Sequence, residues 1–581
     1  MSAVVTGRPT VAGLLLGETR ARVTAFVRTP IAAFFTLVFP LIVLLLVGTL
    51  VGNAVLESRS GVRVAQFFTP AIAAYAAATA AYTSLAIGLS IDRERGVLRR
   101  QRALPIPTAA LLGGRVGAGI VSGTAAVLLM VLAGVVFLDV QVVWGKLPAA
   151  ALALVIGITC FAALGFAVSS IARTPAATQA ITNGTLVPLA FVSDVFVVGD
   201  DLPEALSIVG GIFPLKAFAN AMAEAFNPFT AGAGFAWSHL VLMVAWAVGA
   251  AVVATRRWTW ETPRTAPTVS SKRPHAGVGR HTSGLGPSSE VGVSAKRPHA
   301  AFGRHTSGVG RAVDVARHAH VVEEGVVRRS TLVRGQVVDG ILATVRVPSS
   351  AFFTLAFPLV MLLLFNAVFG DPELDDRGGI PLAQHLAPAL GIFGMATVTF
   401  AELAERLAAQ RDRGILKRIR GTPMTLGAFV AGRIGAAVVL GVVTTAVVLL
   451  VGMLFVGVTV PPSRLPAAVL VLAVGIATFT VLGLALVAIA PRAEAVSPLA
   501  NAALLPMAFV SDVFLIGELP GFLVTIADVL PLRPAVTALS DVLNPTMGGG
   551  VPWARLAVLL AWVAVGTVVV RLRLTWTPRR G

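Results

Sequence analysis

Long apolar runs separated by short polar stretches dominate the chain, and their lengths predict helices that cross a membrane. The runs at 31–51, 109–138 and 147–172 are each long enough for a helix to traverse a hydrocarbon core of about 30 Å, which takes about 20 residues. Short segments of strict apolar–polar alternation, the mark of a transmembrane barrel, do not occur. In the first part of the chain the pattern places spans near 30–52, 66–91, 108–138, 147–172, 175–198 and 235–255.

The pattern then repeats. "RTPIAAFFTLVFPLIVLLL" from Arg28 and "RVPSSAFFTLAFPLVMLLL" from Arg346 agree at 13 of 19 positions, with an offset of 346 − 28 = 318. The same offset carries Gln66 onto Gln384, Arg115 onto Arg433, Asn183 onto Asn501, and "FVSDVF" at Phe191 onto its copy at Phe509. One residue is lost near Pro203/Pro520 and another before Trp237/Trp553. A register held over most of both copies is a tandem duplication. An even number of spans per copy returns the chain to its starting side, so both copies insert in one orientation.

Two further elements follow from composition. Apolar and basic residues at helical spacing over 10–28 predict a helix lying along the inner face of the membrane. Between spans 5 and 6, the apolar segment 202–226 is cut by Pro203, Gly210, Gly211 and Pro214 into pieces too short to cross, which predicts a hairpin that enters the outer leaflet and returns. The expected fold is therefore all-α and integral to a membrane: a tandem duplication of a six-transmembrane-helix module, about twelve spans, with an interfacial helix and an outer re-entrant hairpin in each half. The expected domains are a module at 1–260, a disordered basic linker rich in Gly, Ser, Pro and His at 261–325, and a second module at 326–581.

Composition agrees. Of 581 residues, 56% are hydrophobic and 13% charged, with a mean hydropathy of +0.85, far from the balance of a soluble domain. The net charge of +18 sits in loops and the linker, which fits cytoplasmic loops beside anionic lipid and not nucleic acid. Arginines precede span 1, lie between spans 2 and 3 and follow span 6, whereas the loop after span 5 carries Asp200, Asp201 and Glu204. That asymmetry places both termini and the linker in the cytoplasm. Cys160 is the single cysteine, so neither an internal disulfide nor a cysteine metal cluster forms. In the linker "KRPHAGVGRHTSG" recurs as "KRPHAAFGRHTSG"; its histidines lack metal-ligand spacing, and the repeat reads as low complexity.

The candidate chemistry lies in a basic stretch that interrupts each copy, "DRERGVLRRQRALPIP" from Asp92 and "QRDRGILKRIRGTP" from Gln410. Such a run of arginine cannot lie in hydrocarbon. Each stretch keeps one order: acid and base paired, a glycine, a basic helical turn, then a proline. No GxxxxGK[ST] loop, HExxH or GxSxG motif is present, so the chain carries no phosphate loop for ATP of its own. This arrangement, with the hairpin before span 6, resembles the permease subunits of type-2 ATP-binding-cassette (ABC) exporters. The resemblance is carried by Arg93, Glu94, Arg95, Gly96, Leu98 and Pro105, and by Arg411, Asp412, Arg413, Gly414, Leu416 and Pro423, with Asp92 counted in the first loop. It implies that each stretch is a coupling helix seated on a separate ATPase subunit, two copies in all, with ATP bound by that partner. A fused pair then supplies both membrane halves. Gln410 stands where Asp92 does, so the two loops are expected to dock unequally.

A rival reading is a proton-coupled secondary transporter of six plus six spans. "GLSIDRERG" approaches that family's loop but has one residue too many and lacks its second basic pair, and the spans lack the several buried acids of a proton relay. Four intramembrane residues remain as a possible substrate pathway. Asp194 and Asp512 either cap the turn into the hairpin or meet substrate, and Asn183 and Asn501 either line the seam between halves or hydrogen-bond between helices. Glu402 and Glu405, present only in the second copy, are expected to pair with Arg406. The expected function is export of hydrophobic or amphipathic compounds, antibiotic or multidrug efflux foremost, across a bacterial plasma membrane; export of lipid or cell-envelope precursors is the alternative within the same family.

Overall fold

The computed structural model describes residues 10–27, 34–51, 53–56, 61–103, 107–196, 203–259, 329–370, 372–374, 379–419, 424–514, 520–546 and 550–574. Pro105, Pro423, Asp200, Asp201 and the linker 261–325 lie outside the described residues. The protein is an all-helical membrane protein built by tandem duplication, and its two copies together form one compact unit.

In the first half the interfacial helix is Val11–Val27, span 1 is Phe34–Val38 continued by Phe39–Val51, and spans 3, 4 and 6 are Thr108–Leu138, Leu147–Ile171 and Trp237–Arg257. Span 2 runs without a break over Val64–Glu94. The second half repeats the order with Arg329–Val345, Phe352–Phe369, Leu382–Asp412, Leu426–Phe455, Leu465–Ile489, Val496–Val510 and Trp553–Arg573. Among the described residues nine helices are long and apolar enough to cross a membrane. The other three span positions fall short in length or in apolarity: the apolar helices Thr36–Thr49 and Val496–Val510 are short, and span 5 of the first half, Pro175–Val192, carries Gln179, Thr182, Asn183 and Thr185.

The expected hairpins are present. Glu204–Ile212 and Pro214–Phe226 meet at 88°, and Gly521–Val529 and Leu532–Leu543 meet at 91°. Proline starts the second helix of the first pair, where its missing N–H costs nothing. Span 5 ends at Val192, six residues earlier than the apolar pattern indicates, because Asp194 takes a left-handed φ of 57° and turns the chain. Not foreseen are a two-residue β-ribbon between spans 1 and 2 in each half, pairing Val55–Leu56 with Val62–Arg63 and Glu373–Leu374 with Ile380–Pro381, and a π-helical turn within span 2 of each half, Ala80–Ser84 and Thr397–Glu402.

Span 2 is the core element. In the second half 94% of its apolar window is buried, against 17% for span 6, so span 2 packs among protein on all sides while span 6 offers most of its surface to lipid. The interfacial helix lies on span 3. It approaches so closely that a side chain at Gly114 would meet Glu18 Cβ at 2.6 Å, and Thr19 Oγ1 donates to the Gly114 carbonyl at 3.2 Å.

Candidate functional site: the basic loops, the hairpin anchors and the seam

At the end of span 2 each half makes the same turn. The helix stops, glycine adopts a left-handed φ of 68° (Gly96 and Gly414 alike), and a short second helix begins, Val97–Arg102 or Ile415–Ile419. A residue with a side chain would be strained at that φ, which is why glycine stands there in both copies. Backbone bonds close the turn, Gly96 N–H to the Arg93 carbonyl and Gly414 N–H to the Arg411 carbonyl, both at 3.1 Å. Leu98 is buried and pins the first short helix, while Glu94, Arg95, Arg99, Arg100 and Arg102 are exposed, as are Asp412, Arg413 and Arg418.

Arg93 and Arg411 belong to the loops but not to their outward face. Arg93 is 5% and Arg411 1% exposed. Arg93 Nη1 and Nη2 donate to the carbonyls of Ser169 (2.7 Å) and Ala172 (2.5 Å), and Arg411 Nη1 and Nη2 donate to those of Val487 (2.9 Å) and Ala490 (3.4 Å). Each guanidinium thus satisfies carbonyls at the end of span 4 that have no partner within the helix and favour a cation. The effect is to tie span 2 to span 4 beneath the loop.

The acids of the two loops differ. In the first half Asp92 Oδ2 accepts from Arg22 Nη1 (2.9 Å) and from Arg115 Nη2 (2.8 Å), and Glu18 Oε1 accepts from Arg22 Nε (2.8 Å). One carboxylate therefore joins the interfacial helix, span 2 and span 3. Burial pulls the Arg22 guanidinium down, but Glu18 and Asp92 more than compensate and its pKa is raised. In the second half the corresponding residues are Gln336, Gly340, Gln410 and Arg433. Gln336 Oε1, Gln410 Oε1 and Arg433 Nε are buried without hydrogen-bond partners, and the Arg433 guanidinium lies 5.1 Å over the Phe429 ring. Asp412 is engaged within the protein, where its Oδ2 accepts from the Ala493 backbone N–H at 2.7 Å, ahead of span 5. The first half has Pro175 at that place, which has no N–H to give, and Glu94 has no partner among the described residues.

At the opposite end of span 2, the halves use one design. Gln66 Nε2 donates to the Phe226 carbonyl (2.6 Å) at the end of the hairpin and to the Gln141 carbonyl (2.8 Å), while its Oε1 accepts from Gln141 N–H (2.7 Å). Gln384 does the same with Leu543 (3.0 Å) and Thr459 (2.8 Å for each bond). Lys146 Nζ donates to the carbonyls of Asn227 and Thr230, both at 2.8 Å, and its counterpart Arg464 donates to the Asn544 carbonyl. Asp194 and Asp512, each 2% exposed, face the hairpin. Asp194 lies 3.5 Å from Lys216 Nζ and accepts from Asn220 Nδ2 (3.1 Å), and Asp512 lies 3.4 Å from Arg533 Nε. Each thus links the turn after span 5 to the second hairpin helix.

The seam is built from span 5 of one half against span 1 of the other. Rings of the repeated "FVSDVF" cross it: Phe191 meets Phe365 at 5.0 Å between centroids, Phe509 meets Phe39 at 5.9 Å, and Phe196 meets Phe509 at 6.4 Å. Asn183 and Asn501 are half-buried on span 5 and have no hydrogen-bond partner among the described residues. The interhelical bonds expected of them are made elsewhere, by Tyr82 with Thr185 (3.0 Å) and Ser90 with Thr178 (2.6 Å). Asn183 does precede Gly184, whose Cβ position lies 3.1 Å from the Phe352 ring of the other half. Glu402 pairs with Arg406 as expected, at 3.6 Å, and accepts from Thr354 Oγ1 at 3.0 Å.

Comparison with known proteins bears on both halves. A family model described as ABC-2 type transporter matches residues 18–227 and again 337–544. The daunorubicin resistance ABC transporter permease protein DrrB1 of Streptomyces coeruleorubidus is 28% identical over 200 residues, 33% of this chain and 67% of that protein.

Proposed function

The chain belongs to the ABC-2 type transporter family, and from that premise we propose that it forms both membrane halves of an exporter that moves hydrophobic or amphipathic compounds out of a bacterial cytoplasm. Membrane transport subunits of this family work with separate ATP-binding-cassette subunits. On this reading two such subunits bind ATP and dock on the exposed faces of the two basic loops, which face the cytoplasm.

The observation that carries the reading is the construction of those loops. Each is a rigid helical turn whose outward face is charged and whose root is tied to span 4 through Arg93 or Arg411. A push on the loop therefore reaches spans 2 and 4 together. Charged faces of this kind supply directional docking. Closure of the ATPase pair shifts the halves relative to each other, and substrate passes along the seam, which the phenylalanines of "FVSDVF" close at the hairpin end. An apolar path suits amphipathic cargo, and the drug-resistance permease among its relatives favours antibiotic efflux.

The docking is unequal. Asp412 is committed to span 5, so Glu94 is the loop acid left to meet a partner. The test is transport in vesicles holding the chain with its co-purified ATPase. Uptake should require ATP and persist with a protonophore, and Glu94→Ala should lower it about tenfold, the loss of one charge-assisted contact, with the chain still inserted and folded. Transport that survives ATP depletion and collapses with the protonophore would instead establish the proton-coupled reading.

A further inference from the structure

On the hairpin side of the first half an open pocket of about 180 Å³ lies where the two hairpin helices join beside the start of span 6. Gly211, Lys216, Asn220, Ser238 and His239 line it. Asp194, which lies 3.5 Å from Lys216 Nζ, is buried and is not among the lining residues, so Lys216 is the cationic side chain that the lining contributes. Its contacts are long: 3.5 Å to Asp194 Oδ1 and 3.5 Å to Ser207 Oγ.

The second half shows what belongs there. After the one-residue deletion the offset is 317, so Lys216 corresponds to Arg533 and Gly211 to Asp528. Arg533 meets two carboxylates, the buried Asp512 at 3.4 Å and Asp528, on the first hairpin helix, at 3.0 Å. In the first half the second carboxylate is missing because glycine occupies its position, and the space it would take is open: nothing lies within 4 Å of a Cβ placed on Gly211.

We propose that this pocket binds one external anionic group, a carboxylate or a phosphate, in the position that the Asp528 side chain fills in the second half. Lys216 supplies the charge, and the polar side chains of Asn220, Ser238 and His239 ring the site. The group reaches it either on an anionic lipid headgroup or on an acidic amphiphile. The inference stands on the geometry of this chain and needs no ATPase.

The experiment uses the purified full chain with butyl phosphate and butyrate as soluble probes, and nanodiscs of phosphatidylglycerol in phosphatidylcholine as the lipid probe. Gly211→Asp installs the missing carboxylate on Lys216 without a clash, so it should weaken binding of the bound probe at least about tenfold while keeping or raising the melting temperature. Lys216→Gln should weaken it as well, and Asp528→Gly should add a second site. Retention of one extra phosphatidylglycerol by wild type over Gly211→Asp assigns the site to lipid; discrimination among the soluble probes alone assigns it to an acidic amphiphile. Equal binding of all three probes by wild type and both first-half variants, or no binding by wild type, overturns the proposal.

Discussion

At the hairpin end, Gln66 and Gln384 hold the matching backbone carbonyls in the same way, whereas at the loop end Asp92 bridges two arginines and the Gln410 side-chain oxygen has no hydrogen-bond partner among the described residues. The two ends are under different physical pressure. A backbone carbonyl left unpaired where water is excluded costs several kcal/mol, so a glutamine that satisfies two of them has few substitutes. A partly exposed ion pair contributes a small net amount after desolvation, so one copy can lose it if the cation finds another seat, as Arg433 does over Phe429. After duplication, then, the glutamine anchor at the hairpin end stayed matched, while the carboxylate network at the loop end was kept in one half only. The half with the ion network joins its interfacial helix to spans 2 and 3 through one shared carboxylate, and the other half lacks that bridge, its Arg433 being drawn instead to Asp339 of its own interfacial helix.

The largest test of this contrast is Asp92→Asn, which takes the carboxylate from Arg115 and leaves Arg22 with Glu18 alone. It should cost about 3 kcal/mol, read as a lower melting temperature of the purified chain, and Gln410→Asn at the matching place should cost less than about 1 kcal/mol. Next in size, Gln410→Asp restores a carboxylate beside Arg433 and should stabilise the protein by about 1–2 kcal/mol; a loss of stability would show that the second half has no cation waiting for it. Smaller again, Asp412→Ala removes an acceptor ahead of span 5 and should cost about 1 kcal/mol. Glu94→Ala, with no internal contact to lose, should change stability by less than about 0.5 kcal/mol and show itself only in transport. Equal stability losses for those last two would erase the distinction between a structural acid and a docking acid.

Much of the fold is legible in the sequence. The duplication, the hairpins and the place of the basic loops follow from apolar run lengths and one offset, because hydrocarbon thickness and the cost of a charge in lipid leave few alternatives. The direction of individual side chains does not follow. Arg93 and Arg95 look alike in a string of basic residues, yet one is turned inward to span 4 carbonyls and the other outward; the deciding fact is helical phase, and the break at Gly96 resets it. The network of Glu18, Arg22 and Asp92 is hidden for a related reason: Arg22 and Asp92 are separated by 70 residues and meet only once the interfacial helix is laid on span 3. The π-helical turns in span 2 leave no compositional trace at all.

One consequence concerns why a single chain is useful here. The ring contacts that cross the seam are apolar and non-directional, and in a bilayer the lipid tails compete for the same faces on nearly equal terms. Such an interface slides and parts readily, which suits the seam opening proposed above, but it is a poor means of keeping two separate modules together. Covalent fusion makes their meeting intramolecular and raises the local concentration of each half beside the other to the millimolar range. The seam is thereby free to stay weak: partnership is guaranteed by the peptide backbone, and the interface can be tuned for motion alone.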